Sequence, residues 1–514
     1  MSTEHRDLVV PLARGGTRRR PPDAVVVGAG PNGLAAAIEC ARAGLVVHVV
    51  EQSSTIGGGA RTSERILPGL LHDDCSAVHP MAAASPFFQD LRDAGLAPED
   101  AGLRLVHPPA PLAHPLDGAD AGVLHRDLER TAAGLGADGA RWRRRNGPLV
   151  ARMPDLLTEV MQPLVHLPRH PLLLARFGVP ALVPGARRAA SYTTPQAAGL
   201  AAGLAAHAFT SLDLPGSGAV GALLGALGHS HGWPFAVGGS QSITTALARI
   251  LLELGGTITT GFRVDHLDDV AGLTGVDPRR GRGTVLLDTS PSAAARILGT
   301  DQPRRQRAAY QRFRHGPAAF RVDLAVRDGI PWADPAVAGA GSVHLGGAAD
   351  EVAAAEGQCW DGGLPERPFV VLAQPHVADD TRSVRLDGHD VHPVWAYAHV
   401  PRGFPGDATD LVLAQIERFA PGIRRAVVGT WHRTVPELAA HDPNAVDGDV
   451  CGGANDLRQL VARPRALRPY ETGVPGVLLC SASTPPGAGV HGMSGANAAR
   501  VAVSAAALAR AGER

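Results

Sequence analysis

The sequence predicts an α/β fold in which a split, mainly parallel sheet of the Rossmann type is joined by an inserted α+β domain. Three observations lead to this prediction. A strand, a glycine loop, a helix and a second strand follow one another within residues 24–51. Alternating strands and helices return after about residue 234, and a further strand, glycine loop and helix occupy residues 476–511. Such alternation is typical of parallel sheets with helical crossovers.

The first of these units carries the glycine fingerprint of dinucleotide-binding domains. The apolar run over residues 24–27 passes directly into Gly28-Ala29-Gly30-Pro31-Asn32-Gly33, and a helical pattern follows over residues 34–42. Gly28 allows the tight turn, Gly30 lets the backbone approach a pyrophosphate, and Gly33 lets the helix pack against the strand. Because the N–H groups and dipole of a helix N-terminus favour phosphate, we expect this loop to bind a pyrophosphate.

An acid closes the unit at the place where dinucleotide-binding domains recognise ribose. The second strand, residues 46–50, stops on Glu51, about 20 residues after the glycine loop. A carboxylate there accepts hydrogen bonds from ribose hydroxyls, and it repels a 2′-phosphate, so the sequence disfavours NADP. A second glycine run with Gly58 and Gly59 follows, and then Arg61. We expect these three residues to form another cofactor surface, with the arginine pairing with a phosphate.

The GxGxxG spacing recurs twice, and the elements that flank each copy indicate whether it can bind a phosphate. The copy at residues 216–221 follows no strand and is followed by no acid, so we interpret it as small residues in or beside a helix. The copy at residues 487–492 lies between a buried strand, residues 476–483, and a small-residue helix over residues 498–511. It forms a phosphate-type cradle without a second strand. We therefore expect it to be a second wall of the first cofactor site.

Composition and missing motifs exclude several function classes. Lys plus Arg equals Asp plus Glu at 49 each, so no overall charge favours nucleic acid as a partner. The five cysteines form no CxxC pair, which argues against a redox-active disulfide and a zinc site. Metalloprotease and P-loop signatures are also missing. Redox chemistry would therefore need a cofactor, and we expect no metal site.

The N-terminal segment is polar and basic. It ends in Arg18-Arg19-Arg20-Pro21-Pro22 and lacks the apolar core of an export signal, so we interpret residues 1–22 as a disordered basic arm. No apolar run approaches the roughly 20 residues that span a bilayer. These features predict a cytoplasmic protein without a transmembrane segment. Peripheral contact with a membrane and the oligomeric state stay open.

The rest of the chain divides into alternating regions. Residues 111–233 are rich in Pro and Ala with helical runs, typical of a mainly helical insertion, whereas residues 306–469 are strand-rich. We predict a substrate domain from these two regions and a discontinuous cofactor domain from residues 23–110, 234–305 and 470–514. The remaining predicted elements are helices at 155–164, 195–208, 243–254 and 411–419 and strands at 257–266, 283–289, 319–326, 369–374 and 394–399. A polar segment at residues 72–79 either edges the cofactor site or is ordinary loop.

Taken together, these motifs resemble the phytoene dehydrogenase-related group of FAD-dependent oxidoreductases. The matching residues are 26–34, Glu51 with 56–60, 234–239 and 486–495. The resemblance implies FAD, bound extended across a split Rossmann domain of the glutathione-reductase and amine-oxidase type. It places the adenosine ribose at Glu51, the pyrophosphate at the first glycine loop and the adenine at a strand around Val264. It also places the isoalloxazine and ribityl end near Gly489, Val490, His491, Gly492 and Met493.

Two departures from related enzymes stand out. Carotenoid desaturases usually show Gly-Asp before the C-terminal glycine loop, where this chain has Cys480-Ser481-Ala482-Ser483. Disulfide reductases carry a CxxC-type pair and a second nucleotide domain, and this sequence has neither, so we do not expect disulfide chemistry.

The resulting hypothesis is an FAD-dependent oxidoreductase of the dehydrogenase or desaturase type. It would transfer a hydride from a substrate C–H bond to flavin N5 and pass electrons to oxygen, a quinone or another carrier. The resemblance implies an apolar or isoprenoid-like substrate. An amine-oxidase-like flavoenzyme and a non-catalytic flavin-fold scaffold that binds isoprenoid groups or proteins are the alternatives, but the intact glycines and Glu51 favour an enzyme. The sequence identifies no catalytic side chain.

Overall fold

The computed structural model describes residues 21–512, with side chains described as far as residue 505. The predicted basic arm lies outside the described residues, except for Pro21 and Pro22. The strands, numbered in chain order, are β1 Ala24–Val27, β2 Val47–Val50, β3 Thr62–Glu64, β4 Leu71–Asp73, β5 Leu105–Val106, β6 Ala110–Leu116, β7 Ala119–Leu124, β8 Phe235–Ala236, β9 Thr257–Thr259, β10 Thr284–Leu287, β11 Ala318–Arg327, β12 Ala340–Leu345, β13 Val370–Ala373, β14 Val384–Leu386, β15 His389–Val400, β16 Val427–Arg433 and β17 Val477–Leu479.

The helices are numbered in the same way. They are α1 Pro31–Arg42, α2 Pro80–Ala83, α3 Pro86–Asp93, α4 Leu128–Gly134, α5 Gly139–Val150, α6 Met153–Val160, α7 Pro171–Ala181, α8 Gly185–Ala190, α9 Pro195–Ala206, α10 Gly218–Ser230, α11 Gln241–Glu253, α12 Leu267–Thr274, α13 Pro291–Leu298, α14 Arg304–Gln311, α15 Ala349–Trp360, α16 Thr409–Phe419, α17 Ile423–Ala426, α18 Val435–His441, α19 Leu457–Val461 and α20 Met493–Gly512.

A parallel sheet forms the centre of the half of the molecule that contains the first glycine loop. Within the described residues it has the order β17-β10-β1-β2-β9, and every adjacent pair is parallel. Val26 lies opposite Val49 and Leu286 and faces one hydrophobic core, whereas Val25 and Val285 face the other. Strands buried on both faces are typical of such a sheet. The predicted α/β fold with a mainly parallel sheet is confirmed.

A larger, mostly antiparallel sheet forms the second half. In the part of the chain that the structure describes, its order is β16-β11-β15-β13-β12-β6-β7, with β14 paired to β15. Helices α4 to α10 follow β7 in sequence. The sheet and these helices both contribute to the wall of a cavity that opens onto the parallel sheet.

The inserted region is mainly helical, as predicted, but it begins with a hairpin that was not expected. Residues 110–124 form the β6–β7 hairpin at one edge of the large sheet, where a helical region was expected. The hairpin turns at Asp117-Gly118, and Gly118 has a φ of +66°. An Asp-Gly pair between two apolar runs is a strong hairpin signal. It predicts the local structure here better than the Pro and Ala content of the region does.

Two predicted element boundaries near the cofactor site were also wrong. Strand β9 ends at Thr259, and Val264 therefore lies in an irregular segment that follows Gly261, whose φ is +72°. Helix α20 begins at Met493, five residues before the predicted start, directly after Gly492 with its φ of +69°. The middle GxGxxG copy runs into the start of α10, as predicted.

Candidate functional site

The first glycine loop connects β1 to α1, and its glycines are required by close contacts. Gly28 has a φ of +106°. A Cβ on Gly33 would lie 2.1 Å from Gly28 O, and one on Gly30 would lie 2.9 Å from Asp288 Oδ2. Because neither contact can be relieved without moving the backbone or a buried acid, side chains are excluded here. The N-terminus of α1 is thereby left open toward the cavity.

Glu51 organises the backbone beside this loop. Its carboxylate accepts hydrogen bonds from the N–H groups of Ala29 and Ser53, both at 2.8 Å. Arg61 Nη2 lies 3.7 Å from Glu51 Oε1 and donates to Thr55 O. Parallel strands end at one edge of a sheet, which is why β1 and β2 bring these groups together. Glu51 and Arg61 are buried in the protein but border the cavity.

Asp288 is an acid at this edge that the sequence analysis missed. It directly follows β10, and its Oδ2 accepts a hydrogen bond from Gly33 N at 2.8 Å. Burial, helped by the charges of Asp442 and Glu51, raises the pKa of Asp288 to about 7. A carboxyl group at the end of a parallel strand is a readable signal, since the neighbouring strands β1 and β2 carry the loop and Glu51 at the same edge.

The C-terminal glycine loop supplies the opposite wall. Gly489 and Val490 border the cavity. His491 is buried behind them, with Nε2 donating to Gly487 O at 3.2 Å and Nδ1 accepting from Met493 N at 3.0 Å. Burial lowers the pKa of His491 to about 4, so the ring is neutral. Gly492 packs against Phe87 and leaves no space for a Cβ.

One cavity of about 530 Å³ extends between the two glycine loops. The predicted site residues divide into two groups with respect to it. Those that border the cavity are Gly28, Gly30, Pro31, Asn32, Glu51, Gly58, Gly59, Arg61, Val264, Gly489 and Val490. Those that lie behind its wall are Ala29, Gly33, His491, Gly492 and Met493. Within the polar segment at residues 72–79, residues 74–79 also border this cavity.

Aromatic side chains line the far part of the cavity, which we call the aromatic chamber: His207, Phe209, Trp233, Trp395 and Tyr397. The rings of Trp395 and Tyr397 are edge-on with centroids 5.0 Å apart. His207 Nε2 lies 2.9 Å from His344 Nε2. Burial lowers the pKa of His207 to about 3, so it is a neutral imidazole at the chamber wall. These residues come from distant elements, and no sequence pattern predicts that they meet.

An arginine that is paired with two acids lies in the wall beside the chamber. Arg321 donates through Nη1 to Asp74 O at 2.6 Å and through Nε to Asp323 at 2.9 Å. His441 Nε2 lies 2.9 Å from Asp74 Oδ2. Although burial opposes ionisation, contacts with His441 and arginines lower the pKa of Asp74. The cluster is therefore a network of paired acidic and basic groups that fixes this wall.

The described residues contain neither a group of side chains that could bind a metal ion nor a disulfide bond. No group of three or more His, Cys, Asp or Glu side chains within residues 21–512 could hold a metal ion. The five cysteines are unpaired. Burial raises the pKa of Cys40 and of Cys75 to about 12, so neither thiol is reactive as a thiolate. Over the same described range, no helix combines the length and apolar character needed to cross a membrane.

Comparisons with known proteins agree with this geometry. A family model described as an NAD(P)-binding Rossmann-like domain matches residues 26–93, which contain the first glycine loop and Glu51. A wild-type putrescine oxidase bound to putrescine superposes with a TM-score of 0.54 at 16% identity, over 95% of this chain and 99% of that one. A cyclohexylamine oxidase from Brevibacterium oxydans superposes with a TM-score of 0.53 at 12% identity, over 96% and 100%.

The fold is amine-oxidase-like and contains a Rossmann-like domain. In sequence, the chain is 27% identical to pyridine nucleotide-disulfide oxidoreductase domain-containing protein 2 of Mus musculus, over 93% of each chain. The protein of the same name from Rattus norvegicus is 26% identical over the same shares. The similarity therefore covers both halves of the molecule rather than the dinucleotide-binding region alone.

Proposed function

We propose that the protein is an FAD-dependent oxidoreductase that oxidises a C–H bond of an apolar substrate. The observation that carries this proposal is the single cavity bordered by both glycine loops and continuing into the aromatic chamber. A dinucleotide needs a phosphate-binding helix N-terminus and a ribose acid, which the α1 loop and Glu51 provide. The chamber then provides a water-poor space next to the cofactor.

The residues present fit FAD at the dinucleotide end. Gly28 and Gly30 leave backbone exposed to the cavity, and Glu51 is buried at its border. Asp288 is kept neutral below about pH 7, so it does not repel a phosphate there. When bound, FAD would supply flavin N5 as the hydride acceptor and would return electrons to oxygen, a quinone or another carrier.

The chain's own groups would hold and shield the substrate. Trp395 and Tyr397 provide apolar contact, and the buried walls around them exclude water. The lowered pKa of His207 makes its imidazole too weak a base to accept a proton near neutral pH, so this ring would contribute an uncharged wall to the chamber. The N-terminus of α20 lies behind the C-terminal loop and favours negative charge at that end of the cavity.

The decisive experiment is an absorption spectrum of the purified protein, followed by heat release and identification of any chromophore. We expect flavin bands and intact FAD, or uptake of added FAD by colourless protein. Glu51→Gln in parallel should take up FAD less tightly. A folded protein that neither contains nor binds FAD would refute the proposal and favour a non-catalytic scaffold.

Amine oxidation is the second candidate reaction. It is favoured by the edge-on Trp395–Tyr397 pair, because aromatic faces attract a substrate cation. The amine-oxidase-like fold can host the reaction without deciding it. Anaerobic mixing with a panel of amines and of apolar acids or isoprenoids would separate the candidates, since only a substrate bleaches the flavin absorbance.

A further inference from the structure

One arginine in the cavity wall forms no ion pair with any acid in residues 21–512. Arg463 follows α19, is 2% exposed and borders the cavity. Its Nη2 donates to two carbonyl groups, Cys451 O at 3.2 Å and Gly453 O at 2.6 Å. Its Nε is buried without a partner, and no acceptor for Nη1 is found among residues 21–512. The guanidinium therefore keeps hydrogen-bonding capacity that the described protein does not use.

The acids whose charges act on Arg463 are engaged elsewhere. Asp449 Oδ2 lies 2.9 Å from His315 Nδ1 and its Oδ1 accepts from Cys451 N, while Asp456 pairs with Arg314. Burial lowers the pKa of Arg463, with Asp449 opposing that change. A buried cation without a partner is costly, so its presence requires compensation from something else.

Two of the other buried arginines of this chain are paired with acids. Arg382 is fully buried and lies 2.5 Å from Asp73 Oδ2 and 3.1 Å from Asp379 Oδ2. Arg321 is paired with Asp323 and lies 3.4 Å from Asp74 Oδ1. Arg463 differs from both in having only carbonyl partners and in facing the cavity.

The position of Arg463 links it to the reacting end of the cavity. Its Nη1 lies so close to the C-terminal glycine loop that a Cβ on Gly487 would be 2.6 Å away. Cys451, whose carbonyl it binds, belongs to the hydrophobic cluster that contains Phe209 and Trp395. Trp395 Nε1 is a second buried donor without a partner. The guanidinium thus lies between the aromatic chamber and the C-terminal loop.

We propose that Arg463 binds the carboxylate of the substrate, and that the substrate is an apolar or aromatic carboxylic acid whose hydrocarbon part occupies the aromatic chamber. The Nη1 group, which forms none of the hydrogen bonds of Arg463 within residues 21–512, can donate a charge-assisted hydrogen bond to a carboxylate oxygen. This inference rests on the proposed function and narrows its substrate class. The same guanidinium chemistry could instead hold a phosphate of the cofactor, and the test must separate these two anions.

The test measures benzoate binding to the full-length protein loaded with FAD, by equilibrium dialysis with radiolabelled benzoate. FAD content is read from the absorbance of the same samples. Benzamide is the uncharged probe of the same shape. The variants are Arg463→Met, Arg463→Lys and, as a control, Arg458→Met, which removes an exposed arginine of α19 that does not border the cavity.

We expect one benzoate per chain, with benzamide bound at least about tenfold more weakly. Arg463→Met should weaken benzoate binding about 10- to 100-fold, Arg463→Lys should weaken it less, and Arg458→Met should match the wild type. The benzoate–benzamide comparison uses wild-type protein alone and stays decisive even if Arg463→Met does not fold.

Three results would overturn the inference. The first is FAD-loaded protein that binds no benzoate, or binds benzoate and benzamide equally. The second is Arg463→Met protein that loses FAD but keeps benzoate, since the guanidinium would then hold a cofactor phosphate. The third is protein that binds benzoate through Arg463 but never binds FAD, which overturns the proposed function and the substrate assignment with it.

Discussion

Replacement of Asp288 by asparagine should stabilise the protein, and this effect should appear only above about pH 4. The variant keeps the shape of the side chain, and its amide oxygen can still accept the hydrogen bond from Gly33 N. It removes an acid that is buried beside the first glycine loop and close to Asp442 and Glu51. Because these surroundings disfavour the ionised carboxylate, the wild type carries an electrostatic cost that the amide does not.

The size of that cost follows from the pKa. Folding raises the pKa of Asp288 from an ordinary value of 3.8 to about 7. At about 1.4 kcal/mol per pH unit, this interval amounts to about 4 kcal/mol. The folded state binds the proton more tightly than the unfolded chain, so wild-type stability falls as pH rises from about 4 to about 7. The advantage of Asp288→Asn should grow over that window and stay constant above it.

The assay is urea unfolding of the FAD-free protein at pH 5, 6, 7 and 8. We expect the free energy of unfolding of the variant to exceed that of the wild type by about 1.5 kcal/mol at pH 5, and by about 4 kcal/mol at pH 8. Asp120→Asn, an exposed acid on β7, serves as the matched control. A difference that is constant with pH, or that shrinks as pH rises, would refute the reasoning.

Three further predictions follow from contacts at the cofactor end. Gly33→Ala should lower the free energy of unfolding by at least about 3 kcal/mol, because its Cβ would lie 2.1 Å from Gly28 O. Gly272→Ala is the control, since its Cβ would lie in open space and should cause no such loss. Equal thermal midpoints for the two variants would contradict this prediction. Glu51→Gln should weaken FAD binding about 10- to 100-fold through the lost charge, measured by fluorescence titration; unchanged affinity would exclude a ribose role. Gly495→Ala would place a Cβ 1.8 Å from Asn32 O, so we expect little folded protein in a soluble expression assay; wild-type yield and midpoint would show that α20 can shift away from α1.

The parallel sheet could be predicted because its signals are local. The run at Ala24–Val27, the loop after it and Glu51 lie within about 30 residues, and each has a spacing fixed by the phosphate and the ribose. The apolar runs at Thr284–Leu287 and Val477–Leu479 are buried on both faces, so they read as continuous hydrophobic strands. Local chemistry determines these elements almost completely.

The substrate end could not be predicted because its contacts are non-local. His207 ends up near His344, and Arg463 binds the carbonyl group of Cys451, through the arrangement of whole elements rather than through any sequence spacing. Charge compensation is also invisible in a sequence: Arg382 and Arg463 look alike until their partners are known. Asp288 is the exception, because an acid directly after a predicted parallel strand could have been assigned to the same edge of the sheet as Glu51.

The assembly of the parallel sheet has a consequence for synthesis of the protein. Val285 pairs with Val477, so one edge of β10 stays unpaired until the ribosome has made a strand about 190 residues further along the chain. At about 5–20 residues per second, a ribosome takes roughly 10–40 s to make that stretch. During this time the edge of β10 is an unpaired strand with three consecutive apolar residues, which is a template for aggregation. We expect the nascent chain to depend on chaperones for that interval, and the cavity to be complete only once β17 and the C-terminal glycine loop have been made.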